Sequence, residues 1–228
     1  MGAEFDDYAT AYHQFLSDPL RDKFAPGSQF FTLRKWELIQ KFLDSYKVPS
    51  HEQTWLDLGC GFSDLLRLGQ SFFKEAVGCD PSSEMLAHAR DLRVRLQNRP
   101  DQIPFDSETF DLVTAVCVYH HIPSRQIRAS LTTEIKRVLK PGGVVCLIEH
   151  NPLNPITRLI VSRSALDVNA RLLGIGESTE LLRAAGLHRF SKQFFLYLPE
   201  ALYRRFAFLE AWLRSVPFGG QYAVFAQK

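Results

Sequence analysis

From Thr54 to Glu149 the chain repeats one pattern: a short, almost unbroken apolar run, a segment with helical spacing, then another apolar run. Strands that read as continuous apolar runs are covered on both faces, and strands alternating with helices build parallel βαβ units. The runs predict strands at Thr54–Leu58, Ala76–Cys79, Val94–Gln97, Leu112–Cys117 and Val144–Glu149, with Phe194–Leu198 and Tyr222–Ala226 as antiparallel additions. Leu33, Trp36, Phe42 and Leu43 predict a helix over 29–46. Ile127, Leu131, Ile135, Val138 and Leu139 predict another that stops at Pro141-Gly142-Gly143, and a third is expected over 178–185. The expected fold class is α/β, a seven-stranded, mostly parallel sheet with helices on both faces.

Composition bounds the rest. A chain of 228 residues, 46% hydrophobic and 23% charged, suits one domain with one core. Lys and Arg number 27 against 25 Asp and Glu, which gives no reason to expect a nucleic-acid partner. Cys60, Cys79, Cys117 and Cys146 are widely spaced and form no CxxC, so reduced core thiols and no metal are expected. The first fifteen residues carry Glu4, Asp6 and Asp7 and no apolar stretch of leader length, and no later run is long enough to span a bilayer. These features predict a cytoplasmic protein, with peripheral membrane contact left open.

The segment richest in chemistry is Trp55-Leu56-Asp57-Leu58-Gly59-Cys60-Gly61-Phe62-Ser63. An apolar strand ends in Asp-x-Gly-x-Gly and runs toward a helix, so bare backbone passes close to a ligand with the Asp57 carboxylate beside it. A dinucleotide fingerprint requires a third glycine where Asp64 stands, and a carboxylate is a poor neighbour for a pyrophosphate. That disfavours the competing reading, an NAD-dependent oxidoreductase. The second strand ends in Asp80, the place where such folds bond a ribose hydroxyl pair, and Pro81-Ser82-Ser83-Glu84-Met85 then opens a serine-capped helix. Met85 suits an adenine face or plain core packing equally well.

Leu56-Asp57-Leu58-Gly59-Cys60-Gly61, Asp80, Ile103-Pro104-Phe105-Asp106-x-x-x-Phe110-Asp111, Tyr119-His120-His121-Ile122-Pro123 and Leu139-Lys140-Pro141-Gly142-Gly143 together resemble the class I S-adenosylmethionine-dependent methyltransferases, near the ubiquinone/menaquinone-biosynthesis type. The resemblance is good from Phe5 to Glu149 and looser beyond. It implies a Rossmann-like fold in one domain over 1–228, with a helical N-terminal cover (1–50), a cofactor-binding half (51–150) and a substrate-side half (151–228). It implies S-adenosylmethionine as cofactor, with Asp57, Gly59, Cys60 and Gly61 around the methionine part and Asp80 and Pro81 at the ribose. Gln102 and Ile103, with Met85, would lie toward adenine, and Ala115, Val116 and Cys117 would contribute backbone. Tyr12 in the leading helix would close over the cofactor carboxylate, which Arg34 and Lys35 are placed to neutralise. Arg99 departs from the family pattern, which has an Asp there for the adenine amino group, so Asp101, Gln102 or backbone must substitute.

For the acceptor, His120 and His121 follow the fourth strand while Glu149 and His150 end the fifth, and strand C-termini form the ligand edge of such sheets. Histidine suits proton removal near neutral pH, so His120, His121 and Glu149 are the candidate catalytic residues, Glu149 orienting a histidine. One histidine of the pair could instead pack or cap the next helix. His150, Asn151 and Arg158 belong to a run with two Asn-Pro pairs that fixes a loop over the pocket, and are the candidate substrate contacts. The aromatics from Phe190 to Trp212 read mostly as core packing. The expected activity is methylation of a small-molecule acceptor, with O-methylation favoured. A non-catalytic S-adenosylmethionine-binding protein is the alternative that Arg99 keeps open.

Overall fold

A computed structural model describes residues 18–45 and 49–228 of the chain; Tyr12 lies outside the described residues. Two helices, α1 (Pro19–Phe24) and α2 (Gln29–Leu43), precede β1 (Thr54–Leu58), α3 (Asp64–Gly69), β2 (Glu75–Asp80), α4 (Ser83–Ala87), β3 (Val94–Leu96) and β4 (Phe110–Val116). There follow α5 (Arg125–Val138), β5 (Leu139–His150), α6 (Pro155–Arg163), α7 (Ile175–Ala184), β6 (His188–Phe195), α8 (Glu200–Leu213) and β7 (Gln221–Gln227). The seven strands form one sheet in the order β3-β2-β1-β4-β5-β7-β6. The first five are mutually parallel, and β7 inserts antiparallel between β5 and β6.

The apolar runs divide by alternation. Leu56, Leu58, Val113, Ala115, Val145 and Leu147 face one side, where Leu131, Ile135 and Val138 of α5 and Leu181 and Leu182 of α7 cover them. Trp55, Leu112, Cys146, Ile148 and Phe225 face the other, under Phe30, Trp36, Leu38 and Ile39 of α2 and Leu65 and Leu66 of α3. Period-two alternation between two greasy layers makes most positions of the central strands apolar, which is why the runs look almost unbroken.

Two expectations shift in detail. Helix α5 ends at Val138, before Pro141-Gly142-Gly143, because Leu139 is fully buried and already pairs with Phe110; the register then jumps to Leu112 opposite Val144, so the Pro-Gly-Gly turn sits inside the strand pairing. The sixth strand is His188–Phe195 and not Phe194–Leu198, since its early residues, polar and exposed, pair with β7 as a sheet edge. The late aromatics also divide. Phe194 and Phe195 are core, whereas Phe206, Phe208 and Trp212 on α8 are exposed, Trp212 at 85%. No helix among the described residues is long and apolar enough to cross a membrane.

Candidate active site

The strand order reverses between β1 and β4, and the crevice at such a switch point opens beyond the strand C-termini. There the chain encloses a cavity of about 850 Å³. Asp57, Gly59, Cys60, Gly61, Asp80, Pro81, Met85, Val116, Cys117, His120, His121 and His150 all line it. Four segments separated in sequence therefore share one chamber.

At one end the loop after β1 presents backbone. Gly59 and Gly61 both have positive φ (69° and 51°), and a Cβ on Gly59 would stand 2.5 Å from the Val118 side chain. Asp80 is oriented by two backbone donors, Gly61 N–H to Oδ2 and Ser82 N–H to Oδ1, each at 2.8 Å. Ser82 also caps α4 by accepting from Met85 N–H, which sets the buried Met85 side chain behind Gly61.

Asp57 is buried and accepts a 2.6 Å hydrogen bond from Thr114 Oγ1, which itself accepts from Trp55 Nε1. Burial raises its carboxyl to about 7; Asp80 adds to the rise, and Thr114 and Lys35 offset only part of it. Lys35 lies 3.6 Å from Cys117 Sγ, and Gln221 Nε2 donates to the same sulfur at 3.5 Å. Burial opposes ionisation of Cys117, but Lys35 and His150 outweigh it and bring the thiol down to about 7. The Cys60 and Cys79 thiols, among carboxylates, are pushed upward by burial.

The other end is a histidine cluster. The single-turn helix Tyr119–His121 brings His120 and His121 together, with ring centroids 4.0 Å apart and the His150 ring 5.0 Å from His120. Glu149, fully buried, holds His120 Nδ1 at 2.5 Å through Oε2 while its Oε1 accepts from Val118 and Tyr119 N–H. On the opposite side Asp167 Oδ1 lies 3.3 Å from His120 Nε2 and 3.7 Å from His121 Nε2. Burial disfavours a charged His120, yet Glu149 and Asp167 prevail and raise it to about 10; burial and the charge of its neighbour lower His121 to about 3.

Several assignments need correction. Arg34 does not reach the cavity: it is buried against Glu37, Glu210 and the Tyr203 ring, tying α2 to α8, and the next helix position, Lys35, faces the chamber instead. Gln102 and Ile103 line a separate small pocket with Glu134 and Arg137, where Ile103 N–H donates to Glu134 at 3.0 Å. Arg99 binds Asp101 in an exposed pair, so the side of the chamber nearest β3 is made by Gln97, Asn98 and Pro100. Ala115 is sealed in the core. Asn151 is a brace, donating to Pro217 and Gly219 carbonyls at 3.0 and 2.8 Å, and Arg158 is exposed on α6 away from the chamber. Sequence reasoning missed Asp167 and Gln221. Neither stands in a recognisable motif, although Gln221 opens the last apolar run.

The donor set fits S-adenosylmethionine. Two buried carboxylates, one raised by burial, suit a ligand with a sulfonium, an ammonium and a ribose diol, and Lys35 suits its carboxylate. Residues 56–147 match the family model for a methyltransferase domain. Over residues 56–147, then, the chain carries a methyltransferase domain. The cofactor of that domain is S-adenosylmethionine, which supplies a methyl group on a positively charged sulfur. The chain is 32% identical over 55% of its length to a tRNA (carboxymethyluridine(34)-5-O)-methyltransferase of Arabidopsis thaliana, covering 30% of that protein. It is 32% identical over 53% of its length to a demethylmenaquinone methyltransferase of Lactobacillus johnsonii, again covering 53%. The chain thus spans about half or less of the length of these curated relatives. The phosphoethanolamine N-methyltransferase 2 of Haemonchus contortus in complex with S-adenosyl-L-methionine shares the fold, with a TM-score of 0.62, 19% identity, and coverage of 99% of this chain and 60% of that one.

Proposed function

We propose that the chain transfers the methyl group of S-adenosylmethionine to a hydroxyl of a small, largely apolar acceptor. The observation that carries this reading is the continuity of the chamber. It runs from Gly59, Gly61 and Asp80 to His121, His150 and Asp167, and Leu166 with Ile156, Ile160 and Val161 of α6 supply an apolar wall of the same chamber. At about 850 Å³ it is at the upper end of the range of about 300–1,000 Å³ typical of ligand sites, room for a nucleoside-sized cofactor and a second reactant.

In this reading Asp80 holds the ribose and Asp57 and the Gly59–Gly61 backbone the methionine part. Alignment of two held reactants is most of what such a displacement requires, and positioning alone is worth about 7–11 kcal/mol. The apolar wall fixes the acceptor body, and the histidine end receives its hydroxyl. The four unpaired cysteines support a reducing, cytoplasmic setting.

A nucleoside within tRNA is the second reading, favoured by the name of the Arabidopsis relative. Against it, Arg67, Arg93, Arg99, Arg137 and Arg204 are each paired with a carboxylate, and the net charge is only +2. Incubating the full chain with methyl-labelled S-adenosylmethionine and either a panel of phenols and quinols or bulk tRNA separates the two. Label should enter the small-molecule pool and be lost with Asp80→Ala; label in tRNA alone would replace the acceptor assigned here.

A further inference from the structure

The end of the chamber away from the glycine loop holds an arrangement that proton transfer does not require. His120 Nε2 and His121 Nε2 converge on one oxygen, Asp167 Oδ1, at 3.3 and 3.7 Å, and one donor atom from each residue lies within 4.8 Å of the others. We propose that His120, His121 and Asp167 form a site for a divalent transition-metal ion of the zinc class, open toward the acceptor end of the chamber.

Distance is the first argument. Zinc bonds imidazole nitrogen at about 2.0–2.1 Å and carboxylate oxygen at about 2.0–2.2 Å, so neighbouring ligands of a tetrahedral ion stand about 3.3–3.5 Å apart. The two measured separations stand at and just above that range, and the two imidazole donors lie within 4.8 Å of each other.

The surroundings are the second. A metal-bound histidine normally gives its other ring N–H to a carboxylate, which fixes the tautomer and the ring plane. Glu149 does this for His120 at 2.5 Å, and its other oxygen is held by the Val118 and Tyr119 N–H groups. With Nδ1 donating to Glu149, the ion would displace the proton that His120 Nε2 otherwise directs at Asp167 Oδ1 and take the lone pair it leaves. Two carboxylates, Glu149 and Asp167, then balance one divalent cation in a place where His120 is only 1% exposed.

Third, all three ligands line the chamber, so a fourth coordination position faces the acceptor, as in catalytic zinc sites with three protein ligands. An acceptor hydroxyl bound there would lose its proton to water and remain as a metal-held oxyanion. Its oxygen would then take the methyl carbon as the carbon–sulfur bond breaks with its electron pair passing to sulfur. The products are a neutral ether and S-adenosylhomocysteine. This catalytic role rests on the function proposed above; binding of the ion does not.

The test is a titration of the full chain, stripped with chelator, by cobalt(II) and then zinc chloride. The optical spectrum of cobalt reports coordination independently of turnover, and S-adenosylmethionine binding is measured calorimetrically on the same samples. The expected result is one ion per chain with the intense visible bands of a four-coordinate site, displaced by zinc, abolished by His121→Ala and Asp167→Ala, and unchanged by Cys117→Ala. Glu149→Gln, which keeps shape and removes the charge behind His120, should weaken the metal about 10–100-fold. Cobalt bands that survive in Asp167→Ala, or absence of a one-to-one complex in a chain that binds S-adenosylmethionine, would overturn the metal site while leaving the methyltransferase reading in place. Loss of S-adenosylmethionine binding by the unaltered chain would count against that reading whatever cobalt does.

Discussion

Asp57 is where burial most directly sets a measurable property. Burial raises its carboxyl to about 7, with Asp80 reinforcing and Thr114 and Lys35 opposing. An acid whose folded pKa lies above its unfolded value binds its proton more tightly when folded. Stability is then fully present below about 4 and falls as pH rises toward 7. A cationic ligand prefers the carboxylate, so S-adenosylmethionine should bind up to tenfold more tightly per pH unit as pH rises to about 7, and level off above it. Asp57→Asn should flatten the profile; calorimetry between pH 5.5 and 8 checks it. Cys117 is the matching case for a thiol. At neutral pH iodoacetamide should label it well ahead of Cys60, Cys79 and Cys146, whose thiols burial pushes up, and S-adenosylmethionine should slow the labelling, as read by peptide mass spectrometry.

Among the elements, α2 and α8 are joined by one buried charge network. Arg34 binds Glu37 and Glu210 and stacks on Tyr203, while Glu210 also accepts from Tyr197 and Leu198 N–H at 2.8 and 3.0 Å. Removing one partner of such a buried pair typically costs about 3–5 kcal/mol because the other charge is left alone. Arg34→Ala should lower the thermal midpoint strongly, and adding Glu210→Ala should recover part of the loss. The helix pattern pointed to α2 itself, but not to which of two adjacent basic residues faces the chamber. At 3.6 residues per turn Arg34 and Lys35 point about 100° apart, and only the position of α8 decides that the first is sequestered.

At the scale of the molecule, β7 lies between β5 and β6 and pairs with both, so the last strand of the chain is interior to the sheet. We propose that the chain unfolds as one unit, with the helical cover packed on the single sheet that the cofactor side and the acceptor side share. Thermal unfolding should show one transition, shifted upward by S-adenosylmethionine. A chain ending at Gly220 should lose the cooperative transition altogether, since β5 would be left with an open apolar edge and β6 with no partner strand.

The parallel sheet and its ligand edge were legible because alternation of apolar runs and helical spacing is a local property that survives in one dimension. The glycine loop, Asp80 and the histidine pair were legible for the same reason: each sits immediately after a strand, and strand ends are where such sheets bind. Asp167 could not be found that way. It lies in a Ser-Ala-Leu-Asp turn with no periodicity, and becomes part of the site only because the chain after α6 folds back over His120. The same holds for Gln102 and Ile103, drawn off into a second pocket by Glu134, and for Asn151, whose amide is used up bracing the loop before β7. Sequence by itself determined which strand ends meet. Which side chains at those ends turn inward was decided by partners distant in the chain, because hydrogen bonds and ion pairs between separate elements exist only once the elements are packed.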